Sequence, residues 1–264
     1  MEFQPLIGRC HICGEPAKLS FEHVPPQKAF NNNGVLIAEM DFERPFTIAG
    51  LPQGARTFQK GMGSFSLCCK CNSDTGSWYG GRFVQFCKKG MLVLQKTNYK
   101  PTLCYFGDIY PLAIIKQIIC MFLVINSLAF RDKYRDLVYF VLDRRMRHLH
   151  PRYRIYIYYN HGGMHRATPI SAKLDLKTST MEHVRTSLMA EISYPPFGYL
   201  MAIDSERPDP GIVDITFFAD CAYDQLRTLS MHYPVYATHT FFPGDYRSTA
   251  RIVEDMREKG GIVP

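Results

Sequence analysis

The chain has 264 residues, of which 46% are hydrophobic, and its 31 Lys and Arg residues against 24 Asp and Glu residues give a net charge of +7. This length allows one large domain or two modest ones, and the apolar content excludes disorder over most of the chain. The moderate positive charge fits an anionic partner without requiring one.

Cysteine usage and the N-terminus indicate the compartment. The first ten residues, MEFQPLIGRC, show neither a basic n-region nor a long apolar h-region, so no signal peptide is visible. The nine cysteines are an odd number and include closely spaced pairs. This pattern favours metal binding in a reducing compartment over a disulfide framework, so we predict a cytoplasmic protein.

Two cysteine pairs predict a zinc site. Cys10 and Cys13 form one C-x2-C knuckle. Cys68 and Cys71, within LCCKCN, form a second one. Each knuckle lets a tight turn direct two thiolates at one metal, and two knuckles complete a tetrahedral site that is structural because no position stays open. Cys69 is an alternative to Cys68, but only Cys68 has the two-residue gap to Cys71.

An acidic residue and a histidine end a strand-like segment between the two knuckles. The segment KLSFEHVPP alternates like a strand up to Val24, and Pro25 and Pro26 cannot continue a hydrogen-bonded ladder. Glu22 and His23 therefore lie at a strand end, where adjacent side chains can serve one site. Taken alone, the pair also fits a solvated Glu and a surface His at a turn.

Asn72 directly follows the last cysteine of the second knuckle and precedes a helix-like stretch, SDTGSWYGGRFVQFCKKGMLVLQK. The ordinary role for Asn72 is to be the N-cap of that helix. A helix start also attracts phosphate, and residues 75–107 contain five basic residues and no acidic one. We therefore predict that Arg82, Lys88 and Lys89 contact nucleic acid.

In this order, the motifs resemble a known family. CHICG, FEHVPP and LCCKCNSDTG together are similar to the HNH endonucleases of the ββα-metal superfamily that carry a four-cysteine zinc site. The resemblance covers about residues 10–90 and is greatest to phage junction-resolving and McrA-like HNH nucleases, in which Asn follows the last zinc cysteine.

The resemblance implies a role for each matched residue. The four knuckle cysteines bind structural Zn²⁺, His23 is the general base, and Glu22 and Asn72 hold one catalytic Mg²⁺ or Mn²⁺. An imidazole with an ordinary pKa of about 6.5 can accept a proton from water at neutral pH. A carboxylate, an amide oxygen and waters suit a hard cation that stabilises charge on a phosphate.

The chain also departs from the family pattern. Pro25 stands where many members have a further histidine, and Gly76 stands where others have one. The base-orienting Asn of the family has no clear equivalent, and the NNNG segment with asparagines at 31–33 is typical of a plain turn. The long interval between the two knuckles predicts an extra hairpin in residues 35–66.

Residues 109–149 are predicted to form two helices. The first segment, IYPLAIIKQIICMFLVINSLAF, is long enough to span a bilayer, but Lys116, Gln117 and Asn126 interrupt it. We predict a central buried helix, with a membrane span as the alternative. The second segment, RDKYRDLVYFVLDRRMRHLH, is amphipathic and is expected to end at Pro151.

The C-terminal half has the alternation of β-strands. The segments predicted as strands are RYRIYIYYN (152–160), HVRTSLMAEIS (183–193), FGYLMAI (197–203), IVDITFFA (212–219) and PVYATHTFF (234–242). Proline and glycine turns separate them. These features predict a mostly antiparallel sheet.

The sequence as a whole predicts an α+β protein. Residues 1–105 form an N-terminal zinc-stapled ββα-metal (HNH) module, and residues 106–264 form an α+β domain of unknown role, with the two helices preceding a mostly antiparallel β region. The predicted function is a metal-dependent DNA endonuclease that hydrolyses phosphodiester bonds, which would suit phage defence or a mobile element.

Two other function classes stay open. One is a non-catalytic zinc-dependent nucleic-acid-binding protein, and the other is a structural or regulatory protein in which zinc only staples the fold. The predicted partner is DNA, with no membrane partner, and residues 106–264 could add a homodimer or partner-protein contact.

Overall fold

A computed structural model of the chain supplies the structure. It describes residues 6–37, 56–59, 61–97, 100–175, 185–207 and 209–258. The predicted hairpin in residues 35–66 therefore lies partly outside the described residues.

The chain forms two compact units that are interleaved along the sequence. The first unit takes its described residues from the chain up to Lys88, from Tyr110–Arg147 and from Cys221–Gln225. The second takes them from Lys89–Ile109, from His148–Asp220 and from Leu226 onward. The sequence predicted two contiguous domains, 1–105 and 106–264, whereas the residues of the two helices predicted in 109–149 belong mainly to the first unit.

A small antiparallel sheet organises the N-terminal part of the first unit. The strands β1 (Ile7–Arg9) and β2 (Pro16–His23) are followed by a separate pair, β3 (Val35–Ile37) with β4 (Arg56–Phe58), and then by β5 (Gly63–Cys68). The order in the sheet is β1-β2-β5. The β3–β4 pair supplies the two ends of the predicted extra hairpin.

One continuous helical segment follows β5 directly. It consists of α1 (Cys69–Thr75), a π-helical stretch (Gly76–Gly80) and α2 (Gly81–Lys96). The helix does not stop between them because the residue after α1, Gly76, keeps helical dihedral angles, with φ −60° and ψ −42°. The antiparallel pair of β2 and β5 is thus followed by a helix that begins directly after β5.

The predicted central helix is α3 (Pro111–Ile125), and every residue from Pro111 to Val124 is buried. Pro111 suits the first helical turn, where its missing N–H leaves no partner unpaired. The helix packs against the π-helical stretch and β5. Among the described residues no helix is long and apolar enough to cross a membrane. The prediction of a buried helix is confirmed.

The second predicted helix is shorter than expected and is broken. It consists of α4 (Leu128–Lys133) and α5 (Arg135–Leu142), separated at Tyr134. The prediction that it runs to Pro151 is wrong, because the buried ammonium of Lys116 on α3 caps the end of α5. Its Nζ donates to the carbonyl of Phe140 and, at 2.8 Å, to that of Asp143.

A seven-stranded sheet dominates the second unit. Its strands are β6 (Thr102–Ile109), β7 (Tyr153–Gly163), β8 (Arg166–Asp175), β9 (Arg185–Tyr194), β10 (Phe197–Ile203), β11 (Val213–Asp214) and β12 (Arg227–Thr238). The order is β6-β12-β7-β10-β9-β8, with β11 beside β7. Every pair is antiparallel except β12 with β7. The predicted mostly antiparallel sheet is therefore confirmed.

The individual strand predictions vary in accuracy. Segments 152–160 and 197–203 match β7 and β10, and 183–193 falls within β9 from Arg185 onward. The strand predicted at 212–219 is wrong beyond β11, because Thr216–Asp220 forms a 3-10 helix that buries Phe218. The sequence pattern missed β6, β8 and a final helix, α6 (Thr249–Glu258).

Candidate functional site

Four cysteines converge in the first unit, as the two knuckles predicted. The Sγ atoms of Cys10, Cys13, Cys68 and Cys71 all lie within 4.8 Å of one another. A tetrahedral zinc with Zn–S bonds of about 2.3 Å places its sulfurs about 3.8 Å apart. The measured Cys13–Cys68 Sγ separation is 3.9 Å, so the cluster fits a metal such as zinc. Cys69 is exposed and lies outside the cluster, which decides the alternative in favour of Cys68.

Local hydrogen bonds prepare the sulfurs for a cation. Backbone N–H groups donate to sulfur in both knuckles, from Ile12 to Cys10 and from Cys71 to Cys68, each at 3.4 Å. A hydrogen bond with Cys71 lowers the pKa of Cys10 to about 4 although burial opposes it, and the pKa of Cys71 is raised in turn. Thiols bind a metal as thiolates, so binding of a cation such as zinc would release their protons.

Two of the later helices hold the first knuckle in place. Arg131 of α4 is buried, and its guanidinium donates to the carbonyls of Ile12 at 3.2 Å and Cys13 at 2.8 Å. The Nδ1 of His11 lies 3.2 Å from the carbonyl oxygen of Leu123 at the end of α3. The knuckle carbonyls are therefore satisfied by helices far away in sequence.

Glu22 and Asn72 meet between β2 and α1. The Nδ2 of Asn72 donates to the Oγ of Ser20 at 3.0 Å, and the Asn72 amide is near enough to the Glu22 carboxyl to lower the pKa of that group. Ser20 and Glu22 are two residues apart on β2, and Asn72 follows Cys71 in α1. The structure thus brings together the two residues that the family resemblance implies for a catalytic cation.

Electrostatics distinguish Glu22 from an ordinary surface carboxylate. Burial raises its pKa to about 7, and the hydrogen bond from Asn72 opposes that shift. Burial raises the pKa of the Cys120 thiol on α3, and the charge of Glu22 raises it further. A half-buried carboxylate that ionises near neutral pH gains free energy from a nearby cation, and such groups are concentrated at functional sites.

Asn72 does not cap the helix, contrary to its ordinary predicted role. The N-cap is Cys68, which has extended dihedral angles and whose Sγ accepts the N–H of Cys71. The helix therefore begins earlier than the sequence indicated, and Asn72 lies inside α1. Since its amide is not used for capping, it is available to the side chains of β2.

His23 is the last residue of β2, as predicted from the prolines that follow. It pairs with Gly63 of β5, and its ring lies edge-on to the ring of Phe21 at 4.9 Å between centroids. Phe21 in turn contacts Phe65 at 5.3 Å. Since side chains alternate along a strand, His23 shares a face with Phe21 and Glu22 lies on the other face. Glu22 and His23 can therefore serve one site only at the strand end, and β2 does end at His23.

Asn31 is a residue whose importance the sequence pattern understated. It lies in a turn, as the NNNG segment predicted, but its side chain is fully buried. Its Nδ2 donates to the carbonyls of Pro25 and Met62, and its Oδ1 accepts the N–H of Met62, all at 2.7 Å. Asn31 therefore ties the segment after His23 to the start of β5.

The three residues predicted to contact nucleic acid differ in their surroundings. The guanidinium of Arg82 donates to the carbonyl of Tyr223 at 2.7 Å and to Asp224 at 2.9 Å, and it lies 4.1 Å from the ring centroid of Tyr110. The Nζ of Lys89 donates to the carbonyl of Asp108 at 3.0 Å.

Lys88 is exposed on α2 and makes no ion pair with the described residues. The Arg82 guanidinium is therefore engaged within the first unit, whereas Lys88 and Lys89 are both exposed.

Comparison with known proteins identifies no relative of the chain. No protein-family model, no curated protein and no solved structure matches it. A functional assignment therefore rests on three features: the four-cysteine cluster, the Glu22–Asn72 contact and the position of His23.

Proposed function

We propose that the chain is a metal-dependent DNA endonuclease of the HNH type. The observation that carries this proposal is that the Asn72 amide lies against the end of β2, bonded to Ser20 and close to the Glu22 carboxyl, although these residues are far apart in sequence. The contact forms directly beside the four-cysteine cluster, at the junction of β2 and α1. A zinc staple without chemistry needs neither a half-buried carboxylate with a raised pKa nor an amide beside it.

Each residue has a distinct task in this proposal. Glu22 and Asn72 would hold Mg²⁺ or Mn²⁺, which supplies stabilisation of the charge that develops on the phosphate and the leaving oxygen. His23 accepts the proton of the attacking water at one of its ring nitrogens. Asn31 holds the backbone that follows His23, so that the imidazole stays at the strand end.

The cluster has a positioning role. Cys68 ends β5 and Cys71 lies in α1, so a structural cation bound to both fixes the strand relative to the helix that carries Asn72. Because a four-thiolate sphere is full, that cation has no open position for water or phosphate. The chemistry is therefore assigned to Glu22, His23 and Asn72.

Plasmid cleavage tests the proposal. Supercoiled DNA is incubated with zinc-loaded protein and Mg²⁺ or Mn²⁺, comparing the unaltered chain with His23→Ala. Loss of a general base is expected to lower the cleavage rate by about 10²- to 10⁴-fold. His232→Ala is the matched control, since it removes an exposed histidine of β12. Equal cutting by the unaltered protein and His23→Ala would exclude His23 as the base.

The same assay separates the second function class. A non-catalytic zinc-dependent nucleic-acid-binding protein would retain salt-sensitive DNA binding and would cut with neither metal. The variant Glu22→Gln distinguishes these two function classes. If Glu22 only packs, the variant protein should respond to added Mg²⁺ in the same way as the unaltered protein.

A further inference from the structure

A small cavity lies beside the first knuckle, on the side where α4 and α5 pack. Its volume is about 210 Å³, and its wall includes Arg9, Arg131 and Arg135, with Glu15 as the acidic member of that wall. Tyr139 also lines the cavity and is 59% exposed. A space of this size is smaller than typical sites for drug-sized ligands, so it suits a compact group.

Two of the arginines are held rigidly at the cavity. Arg131 donates to the two knuckle carbonyls already described and to Asp132 at 2.5 Å. Arg9 donates to the carbonyl of Gly14 at 3.1 Å and to Asp132 at 3.3 and 3.5 Å. A guanidinium has five N–H groups. Three of them are engaged in each arginine, which leaves two for a ligand.

Arg135 differs from the other two arginines. It is the first residue of α5, it is exposed, and it makes no ion pair or hydrogen bond with the described residues. One carboxylate, Asp132, is shared between Arg9 and Arg131. Counting Glu15 as well, three guanidinium groups face two carboxylates around the cavity.

We propose that this cavity binds a phosphate group of the DNA backbone, with the adjoining sugar against Tyr139. The inference rests on the proposed nuclease function and extends it to a second contact with the same substrate. Planar guanidinium groups match the oxygens of phosphate, and fixed guanidinium groups lose little side-chain entropy when they bind. Because Cys13 also lines the cavity, the four-cysteine cluster connects it to the helix that carries Asn72.

The cavity also fits a phosphate better than an acidic peptide. The binding groups are charged donors around a small space, and Tyr139 with Val138 supplies only one short apolar wall. Backbone phosphates are the groups that basic side chains contact without regard to sequence. Such a contact would position DNA without reading its bases.

Salt-dependent binding tests the proposal. A fluorescent duplex is titrated with zinc-loaded protein carrying His23→Ala, to prevent cleavage, at several salt concentrations in the presence of Mg²⁺. Adding Arg135→Ala is expected to weaken binding about tenfold at 0.1 M salt and to reduce the slope of log K against log salt by about 0.9. Lys133→Ala is the control, because it removes an exposed positive charge of α4 that does not line the cavity.

The outcomes are separable from those of plasmid cleavage. Equal slopes for Arg135→Ala and Lys133→Ala would overturn the phosphate site even if the unaltered protein cuts DNA. A slope change specific to Arg135 would support the site even if no cleavage is seen.

A second arm titrates inorganic phosphate against the same proteins by calorimetry. Saturable phosphate binding that needs Arg135, with no change in the duplex slope, would assign the cavity to a small phosphorylated ligand and overturn the DNA contact. Failure of the His23→Ala protein to bind duplex at all would also overturn it.

Discussion

Glu22 illustrates how a single residue acquires its properties from neighbours that are remote in sequence. Its position before His23 suggested a strand end, but the pattern could not separate a metal ligand from a solvated carboxylate. The structure places it against Asn72 and near Cys120 of α3, in an environment that raises its pKa to about 7. The burial, rather than the residue type, sets this pKa.

The pKa of Glu22 predicts a pH-dependent stability. The ordinary pKa is 4.5, so between pH 4.5 and about 7 the unfolded chain releases this proton while the folded chain keeps it. Stability therefore falls with rising pH across this window and stays lower above it. We expect Glu22→Gln, without added divalent cation, to match the unaltered protein at pH 4.5 and to be more stable by up to about 3 kcal/mol at pH 8.

Urea denaturation at both pH values measures this difference. Glu258→Gln is the control, since Glu258 is exposed at the end of α6 and its neutralisation is expected to change little at either pH. Addition of Mg²⁺ at pH 8 should stabilise the unaltered protein and not Glu22→Gln. If the unaltered protein and Glu22→Gln unfold at the same urea concentration at pH 8 without Mg²⁺, then the ionised carboxylate of Glu22 does not lower the stability of the fold.

At the scale of elements, the first knuckle depends on a helix that follows it by more than a hundred residues in the chain. The turn that carries Cys10 and Cys13 directs its carbonyls at Arg131 of α4. The second knuckle joins β5 to α1 and uses Cys68 both as a cluster member and as the helix N-cap. Strand, turn and helices are therefore parts of one structural unit around the cluster.

Loss of one cluster sulfur should unfold this unit. We expect Cys68→Ser to lose bound zinc and a large part of its thermal stability, because a structural zinc contributes its binding free energy to folding. Cys69→Ser is a matched control at the neighbouring position, since Cys69 is exposed and outside the cluster. Zinc content by mass spectrometry and thermal unfolding decide the outcome, and equal zinc loss in both variants would contradict the ligand assignment.

Replacing two glycines of the first unit by alanine should change the stability of the protein in opposite directions. Gly14 has φ +83°, and an added Cβ would lie 2.6 Å from the Arg131 guanidinium. Gly76 has helical dihedral angles and open space around its Cα.

We expect Gly14→Ala to destabilise the protein by about 1–3 kcal/mol and Gly76→Ala to stabilise it by about 0.5–1 kcal/mol. Chemical denaturation compares the two variants. If Gly14→Ala leaves the stability unchanged, the Arg131 guanidinium is not held tightly against the first knuckle.

At the scale of the whole molecule, the chain divides into two units with different kinds of interior. The first is built around the cysteine cluster and the apolar helix α3. The second contains a fully buried ion pair, Arg166 with Glu191 at 2.7 Å, in which Glu191 also accepts from the hydroxyl of Tyr158 at 2.6 Å. Arg166 further donates to the carbonyl of Asp245 at 2.7 Å, which fastens the segment before α6 to the sheet.

This buried pair should matter more than an exposed pair of similar geometry. We expect Arg166→Met to cost about 3–5 kcal/mol, because it leaves Glu191 charged and uncompensated in the interior. Arg152→Met breaks a pair with Asp204 at 2.6 Å that is largely solvent-accessible, and it is expected to cost less than about 1 kcal/mol. Urea denaturation of both variants provides the comparison, and similar losses would show that burial does not govern the pair.

Features that depend on residues close together in the chain were predictable from the sequence. Cysteine spacing predicted the cluster, the double proline predicted where β2 ends, and alternation predicted β7 and β10. Less was predictable where a distant partner decides the local structure. Lys116 ends α5 before the amphipathic pattern does, and Cys68 takes the cap position expected of Asn72.

The sequence by itself determined which residues could form a metal cluster, where the apolar helix lies and that the second half is rich in strands, because these properties depend on residue type and spacing. Only the tertiary structure decided that Glu22 meets Asn72, that Asn31 is buried and that the Arg82 guanidinium is engaged within the first unit. Those outcomes depend on contacts between residues far apart in the chain, and such contacts set burial, hydrogen bonding and pKa.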